Sequence, residues 1–216
     1  LPMTSKPNIL FIFPDQQRGD SLGYAGHPVV STPNLDKIAT QGVHFSRCYT
    51  NSPLCVPARA VLQSGQYVSC NGAWNNQIVL DPKTSPSFAR NIRDAGYSTA
   101  VVGKTHLWQH AIGQDGVAHT NDKMHITQDW GFEYVHELTG PMASTAHDSP
   151  YTDYLQEKGL LKAYRRYQIE YVLRNYILKG TKNIPPMYQV LMKQYDIEVD
   201  PENNPLWDDP PLPLPA

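Results

Sequence analysis

Excess positive charge, long apolar runs and cysteine are all scarce in this 216-residue chain. Because 18 Lys and Arg face 20 Asp and Glu, the formal net charge is -2, and the basic field that nucleic acid requires is missing. No run of about eighteen apolar residues is present, so we expect no membrane-spanning helix. The amino end also lacks the charged region of a secretion signal. These absences favour a cytoplasmic protein without a nucleic-acid or membrane partner.

Only three cysteines are present, Cys48, Cys55 and Cys70. Their odd number and wide spacing fit neither a disulfide framework nor a zinc site. We therefore expect at least one of them to be a free thiol or a chemically altered side chain.

The first part of the chain alternates between predicted strands and a predicted helix. Residues 8–13 (NILFIF) form a continuous apolar run with β-branched and aromatic members, which predicts a strand covered on both faces. Thr32 before Pro33 is typical of a helix start, and Gly42 is typical of a helix end. Residues 43–49 (VHFSRCY) are the next strand candidate.

A later helix is predicted to end at Gly96 and to lead into a short buried strand at 98–103. Polar residues follow two of the predicted strands, Asp15 after the first and Lys104 and His106 after this one. Since ligands gather outside the carboxyl ends of parallel strands, these residues point to one shared edge. The pattern predicts an α/β fold whose mostly parallel central sheet is flanked by helices.

The chain divides into three predicted parts: 1–150, a helical extension at 151–193, and an acidic, proline-punctuated segment at 194–216 that forms neither regular helix nor central strand. Within the first part, 107–150 shows little periodicity and is predicted as loop with short elements. Gly159 is expected to divide a short helix from a longer one. The positions expected to face the core of the helical part are Leu161, Tyr164, Tyr167, Tyr171 and Leu178.

The stretch NSPLCVPARAVLQSGQY, residues 51–67, places a cysteine just before a predicted helix. Pro57 suits the first turn of a helix, so Cys55 lies at the amino end, where free N–H groups and the helix dipole favour an anion. Arg59 is four positions on and shares a helix face with residue 55. Its guanidinium can hold an oxyanion there.

The pattern Cys-x-Pro-x-Arg resembles the signature of the sulfatase family, in which this cysteine is oxidised to formylglycine. Further motifs of the family occur in the family's order: DQ (15–16), TPNLDKIATQGVHF (32–45), SGQY (64–67) and GYSTAVVGKTH (96–106). The resemblance spans residues 8–106 and implies an alkaline-phosphatase-like fold. GHPVVSTPNLD, NSPLC and NGAWNN are similar to the choline sulfatase branch, and the Asp-Gln pair is similar to phosphonate monoester hydrolases.

This resemblance implies a sulfuric ester hydrolase whose nucleophile is formylglycine derived from Cys55. One hydroxyl of the aldehyde hydrate attacks sulfur to form a covalent sulfate ester, which the second hydroxyl then expels. The implied partners are a small-molecule sulfate ester and a formylglycine-generating enzyme that matures the protein.

A divalent metal is implied as well, most often Ca²⁺, with Mn²⁺ or Mg²⁺ as alternatives. Asp15 and Gln16 fit as hard oxygen ligands beside the oxygen derived from Cys55. The metal would lower the pKa of the attacking hydroxyl and neutralise sulfate oxygens.

The remaining site residues follow from the same resemblance. Lys104 binds the sulfate and bridges to residue 55, and His106 assists proton transfer when the ester collapses. Because Lys104 and His106 alternate along an extended segment, we expect their side chains on one side. Asn76, in GAWNN, matches an asparagine that contacts the transferred group.

The chain departs from the family pattern after His106. No Asp-His or Asp-Asn pair follows in a strand-end setting, although the family uses one to complete the metal site. We therefore expect the 216 residues to be the amino-terminal part of a longer protein, with 194–216 leading toward the remainder. On this expectation the segment alone binds metal weakly and hydrolyses no sulfate ester at a useful rate.

Two other functions stay open. A phosphonate monoester or phosphodiester hydrolase would use the same geometry around a tetrahedral phosphoryl centre, and a non-catalytic module would keep the fold without the conversion of Cys55. Single residues also have structural alternatives to a functional role: Arg59 could be a surface cation, and Asn76 could be a turn residue. The tryptophans that could present a face to a cation or a sugar, or could instead pack in the core, are Trp74, Trp108 and Trp130.

Overall fold

A computed structural model describes residues 6–109, 119–178 and 186–197 of the chain. The chain divides into two compact units, Leu1–Thr50 and Asn51–Ala216. No helix within the described ranges is both long and apolar enough to cross a bilayer. Residues 198–216, most of the predicted acidic and proline-rich segment, lie outside the described residues.

The first unit contains the predicted helix, α1 (Pro33–Gln41), which begins with proline and ends before Gly42. Thr32 precedes it, and its Oγ1 donates a hydrogen bond of 2.8 Å to the Asp36 carboxylate. The same oxygen accepts a bond of 2.8 Å from the first backbone N–H of the 3-10 helix Gly23–Ala25. One threonine side chain therefore ties the start of α1 to the preceding turn.

The two strands predicted in this unit do not form. Residues 8–13 and 43–49 carry no strand pairing in the structure, and their large apolar side chains are exposed, with Leu10 at 85%. A strand exists only where a neighbour completes its hydrogen-bond ladder, and among the described residues none pairs with either segment. The prediction of strands from these apolar runs is therefore wrong here.

The described residues of the second unit are rich in helices and contain one pair of strands. Its elements are α2 (Cys55–Ser64), α3 (Val68–Asn71), α4 (Phe88–Asp94), β1 (Ala100–Gly103), the 3-10 helix Thr120–Lys123, α5 (Met124–Asp129), β2 (Tyr134–Glu137), the 3-10 helix Ala143–Thr145, α6 (Pro150–Glu157), α7 (Leu161–Leu178) and α8 (Pro186–Gln194).

Strands β1 and β2 pair in parallel, from Ala100 opposite Tyr134 to Gly103 opposite Glu137. Strand β1 confirms the strand predicted at 98–103, and the parallel pairing confirms an α/β arrangement. Strand β2 lies in the region predicted as loop with short elements. Because the strands are parallel, both carboxyl ends lie at the same edge, where Lys104 follows β1.

A buried hydroxyl connects three parts of this unit. Ser87 caps α4 by accepting a hydrogen bond of 3.2 Å from the Arg90 N–H. The same Oγ accepts one of 2.7 Å from Gln63 of α2 and donates to the Trp130 carbonyl. Helix α4 gives way to coil at Gly96, which has a positive φ of 87°, as predicted.

Gly159, with φ of 68°, separates α6 from α7, as predicted. Of the α7 positions predicted to face the core, Tyr171 is exposed, so the prediction is wrong there, and aliphatic neighbours such as Val172 are buried instead. Leu161, Tyr164 and Tyr167 are half-buried, and the side chain of Leu178 lies outside the described residues. The tyrosines carry hydroxyls that stay near water or find a partner, as when Tyr164 meets Ser144 at 3.0 Å. The cluster between α7 and α8 comprises Ile169, Val172, Leu173, Tyr188, Leu191, Tyr195 and Ile197.

Candidate active site

Cys55 is the first residue of α2, as predicted, and its side chain is half-buried. The preceding residue, Leu54, has an extended backbone and offers no side-chain cap. The N–H groups of the first turn are therefore directed toward the region around residue 55. A sulfur or oxygen atom at this position lies in the field of the positive end of the helix dipole.

Asn76 supplies the missing cap from twenty residues further along the chain. Its side-chain carbonyl accepts a hydrogen bond of 3.0 Å from the backbone N–H of Val56. The predicted asparagine thus lies against the first turn of α2 and is more than a local turn residue. Its contact with a transferred group stays a prediction.

Arg59 is almost fully buried, with 8% of its surface exposed, so it is not a surface cation. Its guanidinium donates a hydrogen bond to the backbone carbonyl of Lys104. This bond attaches the chain just after β1 to the helix that carries Cys55. A fixed positive charge therefore lies one helical turn beyond the cysteine.

The ammonium group of Lys104 lies 3.8 Å from the sulfur of Cys55. If Cys55 were converted, an oxygen would replace this sulfur on Cβ, so the sulfur marks where that oxygen would lie. The structure thus links three of the predicted residues: the Lys104 ammonium contacts Cys55, and Arg59 bonds to the Lys104 carbonyl.

His106 is half-buried and has a φ of 53°, which is uncommon outside glycine. The chain therefore turns here, and the expectation of a continuous extended segment from Lys104 to His106 is wrong. The imidazole lines a small interior cavity together with Val56 and Leu107. Its role in proton transfer stays a prediction.

The two predicted metal ligands, Asp15 and Gln16, follow residues 8–13 in the first unit and are both exposed. Carboxylate and amide oxygens are donors that suit a hard cation such as Ca²⁺. Within the described ranges, no group of three or more His, Cys, Asp or Glu side chains is arranged to hold a metal ion. The assignment of Asp15, Gln16 and residue 55 as ligands stays a prediction.

Two of the three candidate tryptophans belong to the core. Trp108 and Trp130 are buried, whereas Trp74 is exposed and keeps its face available.

One functional candidate was missed altogether: Glu137, a buried carboxylate at the end of β2 that contacts the segment after Lys104. The short alternation of Tyr134, Val135, His136 and Glu137 was the available signal for a strand there.

The helix start carries a cysteine, an arginine follows one turn on, and a lysine follows a parallel strand, so positive charge and the helix dipole lie together here and favour an anion. The family model described as Sulfatase matches residues 7–190, and the chain belongs to the sulfatase family. Members of this family are generally metal-dependent and use formylglycine.

Curated relatives show the same family. An ulvan-active sulfatase of Formosa agariphila is 42% identical over 106 residues, which cover 49% of this chain and 20% of that protein. A choline-sulfatase of Rhizobium meliloti is 39% identical over 104 residues, which cover 48% of this chain and 20% of that protein. The matched part of the chain therefore spans about a fifth of the length of these relatives.

A solved structure supports the fold. The phosphonate monoester hydrolase of Agrobacterium radiobacter superposes with a TM-score of 0.50 at 30% sequence identity, over 67% of this chain and 27% of that chain. The similarity confirms the α/β, alkaline-phosphatase-like fold expected from the sequence motifs.

Proposed function

We propose that this protein is a formylglycine-dependent sulfatase that hydrolyses a sulfate monoester at Cys55. The observation that carries the proposal is the position of Cys55 Sγ at the start of α2, 3.8 Å from the ammonium of Lys104. The Lys104 ammonium and the helix dipole act on this one position, which favours a nucleophilic oxygen and a bound anion.

Conversion of Cys55 gives an aldehyde hydrate with two hydroxyls. One attacks sulfur and displaces the alcohol of the substrate, and the second then loses its proton, so that the aldehyde reforms and sulfate is released. Arg59, held against the Lys104 carbonyl, stabilises negative charge on the attacking oxygen. The Lys104 ammonium binds a sulfate oxygen and stays in contact with residue 55. His106 accepts the proton of the second hydroxyl as the sulfate departs.

Asp15 and Gln16 would hold a divalent cation, for which Ca²⁺ is the best match to oxygen donors. The bound cation would neutralise sulfate oxygens and lower the pKa of the attacking hydroxyl. This part of the proposal is supported by the donor chemistry of the two side chains and by the general metal dependence of the family.

The proposed substrate is a small sulfate ester of the choline-sulfatase or arylsulfatase type. The similarity to the choline-sulfatase supports this choice. We also propose a formylglycine-generating enzyme as the partner that matures the chain.

A phosphonate monoester hydrolase is the second candidate. It is favoured by the structural similarity to the enzyme of Agrobacterium radiobacter. The sulfatase is preferred because the family model and the curated relatives are sulfatases. The same tetrahedral geometry at the transferred group makes both reactions chemically accessible at one site.

Rates on two chromogenic substrates separate the candidates. We assay the natural-length protein after maturation with a formylglycine-generating enzyme. The two substrates are the nitrophenyl esters of sulfate and of phenyl phosphonate. We expect a higher kcat/KM on the sulfate, and loss of both activities in Cys55→Ala. A higher kcat/KM on the phosphonate would transfer the assignment to the second candidate.

A further inference from the structure

Glu137 is a carboxylate in the interior of the second unit, at the last position of β2, with 2% of its surface exposed. Burying a carboxylate is costly unless hydrogen bonds replace its water. Three side chains donate to it: Thr105, Trp108 Nε1 at 2.9 Å and Thr127 at 2.8 Å. A buried acid with three converging donors is a built feature of the fold rather than a surface charge.

Two of the three donors flank His106 in the chain. Thr105 lies on one side and Trp108 on the other, so the carboxylate bridges both ends of the turn that follows β1. The third donor, Thr127, belongs to α5 and anchors the carboxylate to a separate element. Through Glu137, the segment 104–108 is attached to the interior at two points.

The backbone of this segment needs such support. His106 has a φ of 53°, a conformation that a non-glycine residue keeps only where its surroundings hold it. Hydrogen bonds from Thr105 and Trp108 to one rigid acceptor fix the chain on both sides of this residue. The bond from Arg59 to the Lys104 carbonyl fixes the segment from the side of α2.

We propose that Glu137 is a positioning residue, which locks the segment 104–108 so that the Lys104 ammonium is held against residue 55. It touches neither substrate nor reacting atoms in this role. The catalytic consequence rests on the proposed function, whereas the geometric claim concerns the contact between Lys104 and Cys55 alone.

A short thiol–amine cross-linker tests the geometry without any turnover. Cys48 and Cys70, both exposed, are replaced by Ser in the unmatured chain, so that Cys55 is the remaining thiol. The yield of the Cys55–Lys104 cross-linked peptide is then measured by mass spectrometry. Glu137→Gln removes the negative charge that strengthens all three hydrogen bonds, and the Thr105 hydroxyl can then only accept from the amide N–H₂ if it reverses its direction. We expect the yield to fall about fivefold or more, because a released segment 104–108 no longer holds the Lys104 ammonium beside the thiol, and the reaction depends on that proximity.

Glu133→Gln is the matched control. Glu133 lies just before β2 and accepts a hydrogen bond of 3.0 Å from the Thr99 N–H, away from the segment 104–108. Its replacement should leave the cross-link yield unchanged. A yield in Glu137→Gln equal to that of Glu133→Gln would overturn the proposal.

Thr105→Val serves if Glu137→Gln does not fold, because it removes a single donor and keeps the side-chain shape. We expect a smaller loss of cross-link in the same direction, and an unchanged yield would again overturn the role of Glu137. In the natural-length protein, Glu137→Gln should lower kcat and leave KM nearly unchanged. If Glu137→Gln reduces the cross-link but the natural-length protein has no sulfatase activity, the positioning role stands and the proposed function fails. The failure of one claim is therefore distinguishable from the failure of the other.

Discussion

Lys104 is the side chain on which the proposed chemistry depends most at the scale of single residues. Its ammonium contacts the Cys55 sulfur, and its carbonyl holds Arg59. Replacement by Met removes the charge but leaves the backbone carbonyl in place. The cluster therefore keeps its fold while losing one of its two cations.

We expect Lys104→Met to lower kcat on a sulfate ester by about 100-fold or more, the effect of losing one group that stabilises developing charge. The melting temperature should change little, since the bond from Arg59 to the backbone survives. Lys83→Met is the matched control. The Lys83 ammonium is exposed, and its surface ion pair with Asp129 is weak because the two groups lie 4.0 Å apart. Equal activity in the two variants would remove Lys104 from the site.

Asn76 is a second residue whose role is open to direct measurement. Its side chain accepts from Val56 N–H and caps α2 from a distance. In Asn76→Ala we expect the free energy of unfolding to fall by about 1 kcal/mol, the usual effect of removing a helix cap. Asn75→Ala is the control, since the Asn75 side chain accepts from the Gln77 N–H two residues on and does not cap α2. Urea unfolding curves that coincide for both variants would contradict the cap.

At the scale of elements, Gly131 shows how closely α4 approaches the chain before β2. A Cβ at this position would lie 2.5 Å from the Arg90 backbone nitrogen, and φ is 107°. Gly65, just after α2, also has a positive φ of 68°, but a Cβ there meets no atom within 4 Å. Gly65 therefore tests the left-handed backbone alone, whereas Gly131 combines steric contact with a φ beyond the left-handed region that other residues reach.

We expect Gly65→Ala to lower the free energy of unfolding by about 1 kcal/mol, through backbone strain alone. Gly131→Ala should cost more than about 3 kcal/mol, because backbone atoms cannot move aside as a flexible side chain can. Thermal or urea unfolding measures both. Similar losses in the two variants would mean that α4 packs less closely on residue 131.

Elements with local signals were predictable from the sequence. Pro33 and Gly42 bound α1, and Gly159 separates α6 from α7, because a cap or a glycine acts on the few residues beside it. Strand pairing depends on distant partners instead. For this reason 8–13 was wrongly predicted as a strand, and β2 was missed.

The candidate site was predictable to the extent that family motifs carry it. Cys55, Arg59 and Lys104 belong to two signatures, and the structure brings them together as those signatures imply. Glu137 belongs to neither signature, and its importance comes from donors 10 to 32 residues away in the chain. Such convergence becomes visible only when the fold is known.

At the scale of the whole molecule, the proposed metal site is the part of the proposal that needs further ligands beyond the residues assigned to it. Ca²⁺ takes about six to eight oxygen ligands, and Asp15 and Gln16 are the predicted protein donors besides residue 55. We expect calorimetry of the 216-residue chain to show weak calcium binding, which Asp15→Ala should abolish. Tight one-to-one binding that survives this substitution would refute the assignment of Asp15 and Gln16.

The state of Cys55 is measured directly by intact-protein mass spectrometry after production with a formylglycine-generating enzyme. We expect a mass lower by roughly 18 Da, since the thiol is replaced by an aldehyde during oxidation of the cysteine, and no such change in Cys55→Ala. The loss should map to the peptide that contains residue 55. An unmodified thiol at Cys55, in cells where another sulfatase is converted, would contradict the proposed nucleophile.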